Sequence, residues 1–453
     1  MRITKELIAV AMLGLIPTAM AWAAEGTVSD EPVPATNQEA NDSPSDLEAP
    51  DGPALVTVGD ACGVGCACTN CYLGEPWRMP QLCALQDRGI MVGGWIQQGI
   101  TFNSRNPADG FNGPVVTNDM NSEYQMNQLW MYAVKPVNTG GYGWDIGGRI
   151  DMMYGTDGRF GANFGLEDRI NGLETYGIVI PQAYVEVAYN NLSVKLGHFA
   201  GILDYEVVPS PGNPFYSLSY GYTYGVPQLV TGALADYKLT DELSVQVAAH
   251  RGWMMFEDAN SDWDIMAGVK WESYDGGSSL AWSCSTGPQD PVGGDLNGIP
   301  GDQERFVYSL VWQQQMTERL RYVLVHNLGR ETGGGADAEW YGLNNYFLYK
   351  INPCLAANLR LEWFRDDDGA RVAGAGNIPG MPAWTGGGFV GDFFNLTAGV
   401  TWRPHPNVIV RPEARWDWYD GAAGVVGGAA GFPFDAGASD DQFTLAADLI
   451  ITY

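Results

Sequence analysis

From Gly89 to Tyr453 the chain alternates apolar and polar side chains with a period of two, again and again. Trp144, Ile146, Gly148, Ile150, Met152 and Tyr154 would share one face of a strand, and Asp145, Gly147, Arg149, Asp151 and Met153 the other. One face is greasy and the other charged. A soluble sandwich would bury the greasy face against a second sheet, whereas a membrane barrel would turn it to lipid. Aromatic residues bracket the greasy sets, as in Trp263, Ile265, Ala267, Val269, Trp271 and again in Phe394, Leu396, Ala398, Val400, Trp402. Aromatic rings favour the two membrane interfaces, which lie roughly 25 Å apart in barrels. Eight strand residues tilted about 45° climb roughly 19 Å, close to that band.

Sixteen such segments can be drawn, near 89–102, 123–134, 143–154, 181–190, 192–199, 229–239, 242–252, 262–272, 277–286, 304–314, 319–329, 338–350, 355–365, 391–403, 406–418 and 441–453. The connections alternate. Asn190-Asn191, Thr240-Asp241, Asp275-Gly276, Asn352-Pro353 and Pro404-His405-Pro406 are short. Segments 103–122, 155–180, 200–228, 253–261, 287–303, 330–337, 366–390 and 419–440 are long. Short turns on one side and long loops on the other are the outer-membrane pattern. The expected fold is a closed, all-β, antiparallel transmembrane barrel of sixteen strands over 89–453, with both termini on the periplasmic side. Pro412, inside a strand, is expected to mark a bulge.

Composition agrees. Charged residues make up 17% of the chain and aromatics 12%, with 59 glycines, against about 25% charged residues in an ordinary soluble domain. No long apolar run follows the N-terminus, which argues against helical spans. Residues 1–24 read as a signal peptide: Arg2 and Lys5, an apolar core from Leu7 to Ile16, then small residues around Ala19–Ala23. Residues 25–60 hold Glu25, Asp30, Glu31, Glu39, Asp42, Asp46, Glu48, Asp51 and Asp60 without a single Lys or Arg, and read as an acidic disordered segment. The formal charge of −29 repels phosphates and excludes a nucleic-acid partner.

Residues 61–88 are Cys-rich. Cys62, Cys66, Cys68 and Cys71 could hold a metal through thiolates, but an oxidising compartment favours disulfides. Cys354 lies beside a short turn and Cys284 near a long loop. The expected periplasmic disulfide set is therefore Cys62, Cys66, Cys68, Cys71, Cys83 and Cys354, with Cys284 alone. Among the histidines, His198, His250, His326 and His405, none sits in a metal or nucleophile motif. No enzyme activity and no cofactor are expected.

With the aromatic faces outward, the inner wall carries Asp145, Arg149, Asp151, Gln182, Glu186, Lys195, Asp236, Lys238, Gln246, His250, Asp264 and Lys270. It continues through Arg321, Arg360, Arg411, Glu413, Arg415, Asp417 and Asp448. These charges either filter solutes or merely solvate the wall. The third long loop, 200–228, carries Asp204, Glu206, Pro209, Pro211, Pro214 and a run of aromatics, with no Lys or Arg. By analogy with sixteen-stranded porins it folds into the barrel, and its acids would favour cations mildly.

The chain ends on an amphipathic strand (Phe443, Leu445, Ala447, Leu449, Ile451, Tyr453) whose last residue is aromatic. That ending resembles the signal read by the outer-membrane barrel insertion machinery. Gly93-Gly94-Trp95-Ile96-Gln97-Gln98-Gly99, Pro181-Gln182-Ala183-Tyr184-Val185-Glu186 and Lys195-Leu196-Gly197-His198-Phe199 resemble segments of the putative β-barrel porin-2 (OmpL-like) family. The resemblance covers 89–453. It implies an outer-membrane porin that lets small hydrophilic solutes and ions diffuse passively. Membrane lipids and the insertion machinery would be its partners, and a homo-oligomer is left open. In that family Lys195, Gly197 and Phe199 would lead into a lumen loop. The competing reading is a structural or adhesive barrel, without conductance, that tethers the envelope through its N-terminal arm.

Overall fold

The structure is a computed structural model that describes residues 73–171, 174–257, 262–289, 303–333, 336–377 and 382–453. The signal peptide, the acidic segment and Cys62, Cys66, Cys68 and Cys71 lie outside the described residues. Sixteen long strands form the wall: β1 (Met91–Asn103), β2 (Tyr124–Lys135), β3 (Trp144–Gly155), β4 (Ala183–Tyr189), β5 (Leu192–Ala200), β6 (Leu229–Lys238), β7 (Leu243–His250) and β8 (Asp264–Glu272). They continue as β9 (Ser278–Gln289), β10 (Gln303–Gln315), β11 (Leu320–Gly333), β12 (Ala336–Asn352), β13 (Leu355–Asp366), β14 (Gly391–His405), β15 (Val408–Gly421) and β16 (Asp441–Thr452). Each pairs antiparallel with its chain neighbours, and β16 pairs with both β15 and β1, so the sheet closes on itself. A short strand, Gly177–Val179, adds to the end of β3. Residues 386–387, 424–426 and 429–431 form a separate small sheet from the last two long loops.

Side-chain alternation decides which way each strand faces. On β3, Trp144 is 72% exposed and Ile150 57%, while Arg149 is 7% exposed and Asp151 1%. The greasy face points outward and the charged face inward, the reverse of a soluble protein. No helix of the described residues is long and apolar enough to cross a membrane.

The Asn190-Asn191 turn joins Tyr189 to Leu192 in a two-residue hairpin, and Asn190 takes a positive φ of 51°, the geometry such tight turns require. One connection differs from expectation. The 330–337 segment is not a long loop, because β11 and β12 remain paired as far as Gly333 and Ala336. Pro412 also departs from expectation. It pairs with Ala447 of β16, and the ladder to β14 skips it but resumes in the same register, from Gly399–Glu413 to Trp402–Val410. The missing N–H interrupts the ladder without inserting a residue. The register shift comes later, between Trp402 and His405.

Candidate functional site: the lumen and its inward loop

The inner wall of β13 to β16 carries charge because every second residue there must face the lumen. Arg360 and Glu362 on β13, Arg411, Glu413, Arg415 and Asp417 on β15 and Asp448 on β16 are all buried. What buries them is the third long loop, which enters the barrel between β5 and β6. Its aromatics Tyr205, Phe215, Tyr216, Tyr220, Tyr222 and Tyr224 are all buried.

The loop has few regular backbone bonds of its own, so the wall supplies partners for its amides and carbonyls. Glu413 accepts from the amides of Tyr216 (2.9 Å) and Ser217 (3.3 Å). Glu362 accepts from the Gly221 amide at 2.8 Å. Arg411 donates to the carbonyls of Ser210 (3.0 Å) and Asn213 (2.6 Å), and Arg415 to that of Leu218 (2.7 Å). On the opposite side Gln128 of β2 donates to the Val208 carbonyl (2.9 Å), and the Tyr216 hydroxyl donates to Asn127 (2.8 Å). Trp340 of β12 reaches the Gly225 carbonyl at 3.1 Å. The loop is thus fastened to wall strands on both sides of the lumen.

Above it, other long loops pack into the same interior. Val116 of the first, Trp253 of the fourth, Val372, Trp384 and Phe389 of the seventh and Phe434 of the last share one apolar cluster with Tyr220, Tyr222 and Tyr224. Arg159 of the second loop clamps Asp119 of the first with both terminal nitrogens, at 2.8 and 2.9 Å, and both side chains are buried. Beside it Asp157 accepts from Asn127 and Gln128, both at 2.9 Å. Burial pushes its carboxyl up to about 7, against those bonds and Arg159, which pull it down.

The residues expected to line a selective passage divide into two groups. Glu206 sits against Arg360 at 2.8 Å with both side chains buried, and Asp204 is held by Asn327 and accepts from the amides of Tyr205 and Glu206. These two acids of the loop are consumed in packing. Arg411 pairs with Asp448, Arg415 with Asp417, and Arg149 with Asp151 at 2.6 Å. The second group faces the short-turn half of the lumen. Glu186 and Lys195 stand opposite each other on β4 and β5, with the Lys195 ammonium 5.3 Å from the Tyr184 ring. Arg321 donates to Gln315 at 3.2 Å. Asp145 holds Lys135 at 3.0 Å at the short-turn rim.

Sequence reading missed Asn327, Ser309, the Arg159–Asp119 clamp and the buried Arg305–Glu331 pair. Only the inward parity of the strand members could have flagged them. It also placed Cys83 in a disulfide set, whereas Cys83 and Cys284 are both free thiols. Cys83 lies on a one-turn helix, Cys83–Gln86, with its side exposed, whereas Cys354 is buried and partnered. Among the described residues no group of three or more side chains is disposed to hold a metal ion.

Three solved structures illustrate the likeness of the fold. The outer membrane channel DcaP of Acinetobacter baumannii is 12% identical with a TM-score of 0.51, matching 80% of this chain and 97% of its own. An anion-selective porin from Comamonas acidovorans is 9% identical, with a TM-score of 0.53 and coverage of 80% and 99%. OprB of Pseudomonas putida is 14% identical, with a TM-score of 0.52 and coverage of 82% and 96%. No curated protein matches the chain. A family model described as putative beta-barrel porin-2, OmpL-like, matches residues 89–453. Closed sixteen-strand wall, inward third loop and family match agree, and the chain belongs to the putative β-barrel porin-2, OmpL-like family.

Proposed function

We propose that this protein is an outer-membrane porin through which small hydrophilic solutes and ions diffuse passively. The observation that carries the reading is the inward third loop, fastened across a polar-lined barrel whose outside is apolar. The dense packing around the loop supports a narrow passage and a small unitary conductance.

The loop acids cannot supply the mild cation preference expected of them, since Glu206 and Asp204 are engaged inside the packing. Ion preference is instead assigned to the short-turn half of the lumen, facing the periplasm, where Glu186 and Lys195 line one wall and Arg321 another. The N-terminal arm would be tethered to Cys354 by a disulfide on that side. Planar-bilayer recording of the purified barrel tests the reading. Stepwise openings in symmetric salt are expected, and a silent barrel would favour the tethering alternative.

A further inference from the structure

Below the third loop, towards the short turns, inner-wall side chains become partly exposed and the lumen opens into a vestibule. Its roof is the loop at Pro214, which is partly exposed and whose carbonyl accepts from Asn358 of β13 and Thr401 of β14. The wall of β11 to β14 presents three cations to this space: Arg321, Lys350 and Arg403.

Register fixes their positions. Tyr346 pairs with Arg360 and Lys350 with Ala356, so Lys350 shares the inward parity of the buried Arg360. Ala356 in turn pairs with Thr401, which bonds the loop carbonyl of Pro214 (3.4 Å) and therefore faces inward. Arg403 is two residues further along β14, on the same face. Neighbouring strands lie about 4.8 Å apart and residues about 3.3 Å along a strand, so Lys350 and Arg403 start roughly 12 Å from one another and their long side chains can meet over one volume.

Arg403 is the unusual member. It is partly buried, yet its guanidinium has no hydrogen bond, ion pair or ring contact among the described residues, and neither has the Lys350 ammonium. The neighbour of Arg403 on β15 is of the same sign: Trp402 pairs with Val410, so Arg411 stands beside Thr401, two residues from Arg403 on the inward face. Arg411 is already saturated by Asp448 and by two loop carbonyls. Glu186, Asp236 and Glu272 belong to β4, β6 and β8, across the lumen. A cation withdrawn from water beside another cation is unfavourable unless something compensates. A planar guanidinium has the fork that matches an oxyanion.

We propose that Arg403, with Lys350 and Arg321 beside it, is a binding site for small oxyanions in the vestibule beneath the third loop. A carboxylate or phosphate would sit against the guanidinium, with the Pro214 turn of the loop above it. The site does not depend on whether solutes traverse the barrel, so binding is measured on the folded protein in detergent. Inorganic phosphate at constant ionic strength, titrated calorimetrically, is the probe. The intact protein should bind it, Arg403→Gln should weaken binding at least about tenfold, and Arg403→Lys should retain part of the affinity. Lys350→Gln, on another strand, should weaken it about threefold, which keeps the test intact should Arg403→Gln fail to fold. Arg169→Gln, which removes a cation from the exposed second loop, should leave affinity unchanged; an equal loss there would mean that phosphate responds to net charge alone and would overturn the site. Absence of phosphate binding by the intact protein overturns the proposal. So does undiminished binding by Lys350→Gln and by whichever Arg403 variant folds.

Discussion

Glu206 and Arg360 show what a charged residue is for when it faces a filled lumen. The two side chains are fully buried and 2.8 Å apart, and Arg360 also donates to the Ser217 carbonyl at 2.8 Å and its hydroxyl at 3.0 Å. Removing one partner leaves a buried charge uncompensated, which costs about 3–5 kcal/mol. Glu206→Gln should therefore lower unfolding stability in denaturant by about that much, while leaving the reversal potential in a salt gradient near its original value. A large change in reversal potential with unaltered stability would instead put Glu206 in an open path. Asp157, in the second loop, gives a prediction in pH. Its carboxyl is raised from 3.8 to about 7 in the folded protein, so the folded state is favoured when the group is protonated. That contribution is fully present below the unfolded pKa and is lost as pH rises through about 7. The melting temperature should fall between about pH 4 and pH 7 and level off above it, and Asp157→Asn should flatten that slope whatever it does to the midpoint itself.

At the scale of elements, the wall was legible in the sequence and its filling was not. Period two and turn chemistry located all sixteen strands, because a residue facing lipid and its neighbour facing the lumen must differ in kind. The same rule put Arg149, Arg411 and Arg415 on the inside. Period two says nothing about what an inward residue meets, since Glu206–Arg360 and Asp204–Asn327 join loop to wall across more than a hundred residues. The third loop was expected to enter by analogy, and its aromatics were suited to either a wall or a solute. Their burial shows that they pack. Replacing Tyr205–Tyr224 with a short Gly/Ser linker should raise single-channel conductance several-fold, whereas an unchanged conductance would mean the loop does not narrow the path. The N-terminal arm makes a second element-scale prediction. Trp77 stacks on His405 at 4.2 Å, its amide donates to Asn407 at 2.6 Å and Asn407 returns a bond to its carbonyl at 2.9 Å. Trp77→Ala combined with Asn407→Ala should expose the chain near residues 73–82 to proteolysis in the folded protein without altering the barrel core. Equal protease resistance would show that the clasp does not hold the arm.

The molecule as a whole depends on one seam. Fifteen of the sixteen neighbour contacts join strands adjacent in sequence, whereas β1 and β16 come from opposite ends of the barrel sequence and must meet last in chain order. Their ladder runs from Trp95–Thr452 to Asn103–Thr444. Tyr453 extends it: its amide donates to the Gly94 carbonyl at 2.9 Å and the Gly94 amide donates to the Tyr453 carbonyl at 3.1 Å. Its hydroxyl crosses to the Trp130 carbonyl of β2 at 3.1 Å. One terminal side chain therefore ties the last strand to the first two. The close approach depends on Gly94, where a Cβ would lie 2.1 Å from the Trp130 carbonyl oxygen and about 3 Å from the Tyr453 ring. An unclosed sheet would leave two edges of unpaired backbone groups in hydrocarbon, each costing several kcal/mol, so closure should behave as all or none. Deleting Thr452–Tyr453 removes the end of the seam and the tyrosine ring that crosses to β2. The expected result is a marked drop in the fraction of protein that refolds into detergent as a compact, heat-modifiable band, with the folded remainder melting at a lower temperature. Tyr453→Phe keeps the ring and the backbone bonds and loses only the hydroxyl, so it should refold close to normally. If refolding of purified protein were unaffected by the deletion while assembly in cells failed, the terminal residues would be acting on the insertion machinery and not on closure.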